Sequence, residues 1–270
     1  MKKHLKLYLI MLLILSSFCL FSCSFSNDSN DSSDDSSPSA NTSSENFQDH
    51  SDENSETPQT EPSQSSTERI DVSGLPEVIS TLEKDDGNKL VLVNKLYTVS
   101  PDYQPTDMVA VDGSLSTNQG LYFKKEAYEA YLKMLEDAKS EGIEFVICST
   151  YRSYSTQDTI YHNYVSMYGA DYANTISAYP GRSEHHTGWA VDVTSASMGY
   201  DLKQNFIEYP EGIWINNHCS EYGFIIRYPE GKTHITGYDY EPWHLRYVGV
   251  DTAKEITGSG LTLEEYLGEA

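Results

Sequence analysis

Lysine and arginine are scarce in this chain: 18 of them face 41 aspartates and glutamates, for a formal net charge of −23. Lys2, Lys3 and Lys6 belong to the extreme N-terminus and eleven of the acids fall within 24–68, so residues 69–270 by themselves carry −15. Such a domain repels phosphate backbones and anionic headgroups, which argues against nucleic acid as a partner and against a charged lipid surface as a docking site. Cysteine is nearly as rare. Of the four, Cys19 and Cys23 lie near the N-terminus, while Cys148 (in FVICST) and Cys219 (in INNHCSEYGF) stand alone in apolar contexts. No spacing suits a thiolate zinc site, and the last two either bridge or stay as buried thiols. Several catalytic signatures are missing too. No lysine has a serine three positions before it, and neither G-x-S-x-G nor H-E-x-x-H occurs. These absences disfavour an acylating Ser-x-x-Lys enzyme, a serine hydrolase elbow and a thermolysin-type zinc site.

The longest apolar run, Leu7 to Phe21, is interrupted by Ser16 and Ser17 and is too short for a permanent membrane span. Behind three lysines and ahead of Leu20-Phe21-Ser22-Cys23 it reads as a signal peptide, residues 1–22. It resembles a bacterial lipoprotein signal, which implies lipidation at Cys23 and a place on the outer face of the cell membrane; plain secretion is the alternative. Residues 23–68 follow as an acidic tether rich in Ser, Asp and Asn, without lysine or arginine, and too poor in apolar side chains to offset the entropy of ordering. A flexible chain of that length has a root-mean-square reach of ~35–40 Å. Residues 69–270 suffice for one domain with a sizeable core.

Within that domain, 69–88 reads as a polar lead-in and LVLVNK (90–95) as a short strand or extended run. Ala127, Tyr131, Met134, Leu135 and Ala138 recur at helical spacing over 124–140, with Gly142 as terminator. FVICST (145–150) predicts a strand leading to Tyr151-Arg152-Ser153, and Ser155 is placed to cap a second helix reaching Met167. WAVDVT (189–194) predicts a strand with Ala190 and Asp192 on one face and Val191 and Val193 on the other. A helix over 209–221, strands at 224–229 and 244–249 around a hairpin-like loop (231–240), and two short helices in the tail complete the reading. The expected class is α+β, a small, mainly antiparallel sheet flanked by helices.

The chemistry gathers in SEHHTGWAVDV (183–193) and EPWHLRYVG (241–249). His185, Asp192 and His244 offer two imidazoles and a carboxylate, the donor set of a catalytic zinc site that keeps one position open. Glu241, three residues before His244 and stiffened by Pro242, is placed to act as a general base on water. His186 is a poor fourth ligand, because adjacent side chains of an extended segment diverge. His162, His218 and His234 read as structural or surface residues, and Trp243 as a wall of the site.

SEHHTGWAVD and EPWH match the S-x-H-x-x-G-x-A-x-D and E-x-W-H patterns of the VanY-type D-alanyl-D-alanine carboxypeptidases, and STYRSYSTQ, LVNK and GFIIRYPEGKTHITGY extend the similarity over roughly 90–268. The resemblance implies one zinc ion held by His185, Asp192 and His244, the base at Glu241, an oxyanion-stabilising Arg152, and substrate contacts at Ser183 and Gln157. It also implies peptidoglycan stem peptides as substrate, with removal of the terminal D-alanine. The same motifs serve relatives that cut between an L-centre and D-alanine in tetrapeptides, and a binding module that had lost catalysis would lack Glu241 or a ligand. Two positions depart from the pattern: His186 stands where glutamine is common, and Tyr179 where arginine is frequent, with Arg182 the nearby candidate to serve instead.

Overall fold

The computed structural model describes residues 74–270; the expected signal peptide (1–22), Cys23 and the tether (23–68) lie outside the described residues. Strands β1 (Ser80–Leu82) and β2 (Tyr97–Val99) pair in parallel, and β3 (Met108–Ala110) pairs antiparallel with β4 (Tyr122–Lys124). The strand of this region is therefore 97–99, and 91–93 carry no strand pairing, the extended-run alternative for 90–95. Asn94 accounts for the shift: its Oδ1 accepts the backbone N–H groups of Leu96 and Tyr97 at 2.8 and 3.1 Å and turns the chain before it can pair. The polar lead-in is also packed. Lys124 on β4 donates to a buried Asp85, which accepts from Thr106 as well.

Helix α1 (Lys125–Ser140) buries Ala127, Tyr131, Met134 and Ala138 on one stripe, and Gly142, at φ +78°, ends the run as its sequence predicts. Strand β5 (Val146–Ser149) leads into α2 (Tyr154–Tyr168) and α3 (Ala170–Ile176). The cap of α2 is Ser153 and not Ser155: Ser153 keeps extended backbone and its Oγ accepts the Thr156 N–H at 3.1 Å, whereas Ser155 lies within the first turn. After β6 (Ala190–Thr194) come α4 (Pro210–His218), β7 (Phe224–Ile226), the single turn α5 (Thr233–Thr236), β8 (His244–Tyr247), α6 (Val250–Ser259) and α7 (Leu263–Leu267). The segment predicted as a hairpin-like loop thus holds α5.

Four strands form an antiparallel sheet in the order β5-β6-β8-β7, so the class is α+β. Alternation divides its two faces. Ile147, Val191, Val193 and Leu245 pack into one cluster with Tyr131, Met134, Phe145, Trp214 and Ile215 from α1, α4 and the turn before β5. Ala190, Asp192, His244 and Arg246 occupy the other face, all buried. A second cluster joins Ile225 and Val248 to Ala253, Ile256 and Leu263 of the C-terminal helices. Cys148 and Cys219 are both free thiols.

Candidate metal centre

The sheet register makes the centre. Asp192 of β6 lies directly opposite His244 of β8, and on its other side pairs with Ser149 of β5 across a bulge between Ile147 and Ser149. Directly opposed residues bring their side chains close on one face, and Asp192 Oδ1 is 2.8 Å from His244 Nδ1. His185 comes from the buried turn Glu184–Thr187, which Gly188 closes at φ +71°; a Cβ there would meet the Met108 Sδ at 2.9 Å. The Arg152 N–H donates to the His185 carbonyl at 3.1 Å and ties that turn to the end of β5. His185 Nδ1 meets the Thr150 carbonyl at 2.5 Å, which leaves Nε2 facing Asp192 Oδ2 at 3.2 Å. The three predicted ligands each offer an atom within 4.8 Å of the others, all buried.

This donor set fits zinc. Two imidazole nitrogens and a carboxylate are the ligands of a hydrolytic site, and the spacing admits an ion bonded at ~2.0–2.2 Å to each. Charge agrees. Burial alone would raise the Asp192 carboxyl, yet His185 and His244 hold it well below the usual carboxylate range. Burial and the nearby Arg152 guanidinium push His185 down to about 4, so its ring is neutral and free to ligate. Burial would also lower His244, but hydrogen bonds to Asp192 and Glu184 lift it to about 9 in the metal-free protein. A ligand cation would have to displace that proton.

Glu241 enters the same cleft. Its N–H donates to the Tyr228 carbonyl at 3.1 Å, and its own carbonyl accepts the His244 N–H at 3.1 Å, so the Glu-Pro-Trp-His turn is pinned at both ends. Its Oε2 is 3.9 Å from His244 Nδ1. Burial, against the pull of His244, pushes the Glu241 carboxyl up to about 7. Arg152 faces it with Nη2 3.5 Å from Asp192 Oδ2, and its Nε has no protein partner. The cleft has a volume of about 570 Å³ and is walled by Ser183, Tyr228, Tyr238, Tyr240 and Trp243 as well as these residues.

Gln157 stands behind Arg152 and not on the cleft wall. It is fully buried, its Oε1 accepts from Arg152 Nη1 at 2.7 Å, and its Nε2 donates to Ser177 Oγ and the Ala178 carbonyl at 3.2 and 2.7 Å. In this arrangement it acts through the arginine. His186 is no ligand: its Nδ1 is 2.8 Å from the Arg152 carbonyl, its Nε2 accepts the Gly181 N–H at 3.1 Å, and its ring stacks on Tyr154. It bridges two loops of the site. Arg182 does not replace the missing arginine, since its guanidinium is bound to the carbonyls of Lys95 and Pro76. Sequence reasoning missed Glu184, completely buried beside His244. The signal was present in Arg227, directly after the apolar run Phe224–Ile226, and in Arg246 beside Leu245, cations that require a carboxylate partner once buried.

Residues 120–250 match the family model described as VanY, D-alanyl-D-alanine carboxypeptidase. The putative carboxypeptidase YodJ of Bacillus subtilis (strain 168) is 42% identical over 214 residues, which are 75% of this chain and 78% of that protein. The solved structure of the LdcB LD-carboxypeptidase is 45% identical with a TM-score of 0.65, covering 70% of this chain and 91% of its own. A variant of the vancomycin-resistance D,D-pentapeptidase VanY in complex with Zn(II) is 30% identical with a TM-score of 0.57, covering 66% of this chain and 98% of its own.

Proposed function

The chain belongs to the VanY D-alanyl-D-alanine carboxypeptidase family, and from that membership we propose that it is a zinc-dependent carboxypeptidase releasing the terminal D-alanine of peptidoglycan stem peptides. The observation that carries the reading is the convergence of His185, Asp192 and His244 within 4.8 Å at the floor of a cleft that also receives Glu241. His185 Nε2, an Asp192 oxygen and His244 Nδ1 would hold one zinc ion. A bound zinc supplies the Lewis acidity that makes water nucleophilic near neutral pH.

The remaining steps are assigned to the protein's own groups. Glu241, in the same cleft and 3.9 Å from His244 Nδ1, takes the proton from the attacking water and returns it to the leaving amine of D-alanine. Arg152 lines the cleft and offers its guanidinium to the oxygen on which negative charge develops, held in place by Gln157. Ser183 and Trp243 wall the space around the scissile bond. We place the enzyme outside the cell, tethered by residues 23–68 from a lipid on Cys23; an acidic folded domain has no electrostatic hold on the membrane of its own, and the anchor supplies it.

Two bonds are open to this machinery. The family description points to the D-alanyl-D-alanine bond, the D,D reading. A second reading, cleavage of the L-centre to D-alanine bond in tetrapeptides, draws support from the 45% identity to an LD-carboxypeptidase against 30% to a D,D-pentapeptidase. That difference gives the L,D reading the greater weight. The test offers the zinc-loaded mature protein pentapeptide and tetrapeptide side by side and identifies products by mass. Release of D-alanine that a chelator stops and zinc restores is expected; release untouched by chelation, or none from either peptide, would overturn the proposal.

A further inference from the structure

Arg227 and Arg246 are fully buried, and both find the same carboxylate oxygen. Arg227 Nε and Arg246 Nη1 each donate to Glu184 Oε1 at 2.6 Å. The rest of each guanidinium is tied elsewhere: Arg227 forms a two-bond pair with Glu264 of α7 at 2.8 and 2.6 Å, and Arg246 Nη2 donates to the carbonyls of Lys89 and Val91 at 2.8 and 2.7 Å. Two arginines and two glutamates leave the cluster neutral. Glu184 therefore remains an anion with Oε1 saturated and Oε2 turned the other way, 3.4 Å from His244 Nε2.

That asymmetry has a chemical consequence. An imidazole that presents a lone pair on Nδ1 must carry its proton on Nε2, and the proton needs an acceptor when buried. His185 solves the same problem in the opposite sense, with the Thr150 carbonyl on Nδ1. We propose that Glu184 is the positioning residue of the metal centre: its Oε2 accepts the Nε2 proton of His244 and so fixes Nδ1 toward Asp192 and the metal. A glutamate that only sutured helices to the sheet would take a guanidinium across both oxygens, as Glu264 does. Glu184 keeps one oxygen for the ligand. The assignment rests on the metal reading above and extends it to the residue that sets the tautomer of a ligand.

The test uses the mature protein with Glu184→Gln, Glu184→Asp and, as a control that loosens the same cluster without touching Oε2, Glu264→Gln. Zinc affinity is read by competition with a chromophoric chelator, and ligand geometry by the visible spectrum of the cobalt(II) form. Both Glu184 variants are expected to weaken zinc by about 10- to 100-fold and to alter the cobalt spectrum. Glu264→Gln, which leaves Oε2 of Glu184 on His244, is expected to lower the melting temperature while holding zinc within about threefold of wild type, well short of the loss expected for a group that orients a ligand. Glu184→Asp keeps the charge between the arginines, so it decides the matter if the glutamine variant does not fold. Glu184 variants that bind zinc like wild type, or lose no more than the Glu264 variant, would overturn the assignment, as would failure of both to fold. A wild-type chain that bound no zinc would instead remove the metal reading, and this assignment with it.

Discussion

Glu241 sits in the cleft with its side chain 24% exposed and its carboxyl raised from an ordinary 4.5 to about 7, chiefly by burial. The direction of that shift sets two outcomes. In the metal-free fold the neutral form is favoured, so its contribution to stability is complete below pH 4.5 and is lost as pH rises through about 7. Glu241→Gln, stripped of metal, should therefore be more stable than wild type at pH 8 by about 1–3 kcal/mol, with the gap closing near pH 4, as read from urea midpoints. The same variant should keep its zinc and lose about 10²- to 10⁴-fold in kcat, since the base is gone. Full turnover with bound zinc would show that the proton goes elsewhere. Arg152→Ala should cost about 10²- to 10³-fold in kcat, and Gln157→Ala a smaller loss of the same kind, because it frees the arginine without removing it. Steady-state kinetics on one stem peptide orders the three.

At the scale of elements, β6 and β8 do two jobs by alternation. Val191 and Leu245 look into the helical core while Asp192 and His244 look into the site, so packing on one face sets geometry on the other. Leu245→Ala, at a fully buried position, should cost about 2–5 kcal/mol of stability and weaken zinc in parallel, measured by chemical denaturation and chelator competition. A variant that lost the stability yet bound zinc unchanged would mean that β8 holds its ligand without help from the core. The turns matter as much as the strands. His186 explains why histidine can stand where the family commonly has glutamine: it spans the Arg152 carbonyl and the Gly181 N–H, and burial pushes it down to about 4, so it stays neutral in that bridge.

For the whole molecule, the proposed metal would be coupled to the fold. An ion that binds the folded chain and not the unfolded one stabilises it by about 2.7 kcal/mol at roughly a hundredfold excess over Kd. Zinc-loaded protein should accordingly melt higher than the chelated form, and the difference should shrink at low pH, where the proton on His244, with its pKa lifted to about 9, competes with the metal. A melting temperature indifferent to zinc would argue against a loaded site. The acidic domain carries −15 and has no electrostatic hold on a membrane, so attachment is predicted to depend on Cys23 alone. Cys23→Ser should move the protein from the membrane fraction to the medium; an unchanged distribution on fractionation would remove the lipid anchor from the proposal.

The grouping of His185, Asp192 and His244, the place of Glu241 beside them and the helix of 124–140 were legible in the sequence because each depends on local pattern: a motif at fixed spacing, a stripe at helical period, a glycine where the chain must turn left-handed. The α+β class followed from the same periodicities. Tertiary structure decided what depends on residues far apart in the chain. It left both thiols free, set Gln157 behind Arg152, sent Arg182 to the backbone of 76 and 95, and used His186 as a bridge. It also gave Glu184 its partners, His244, Arg227 and Arg246, which lie 43 to 62 positions away along the chain. Sequence spacing fixes which atoms a chain can offer; only long-range packing fixes which oxygen of a buried carboxylate is left to face a ligand, because that choice belongs to strands and helices brought together by burial.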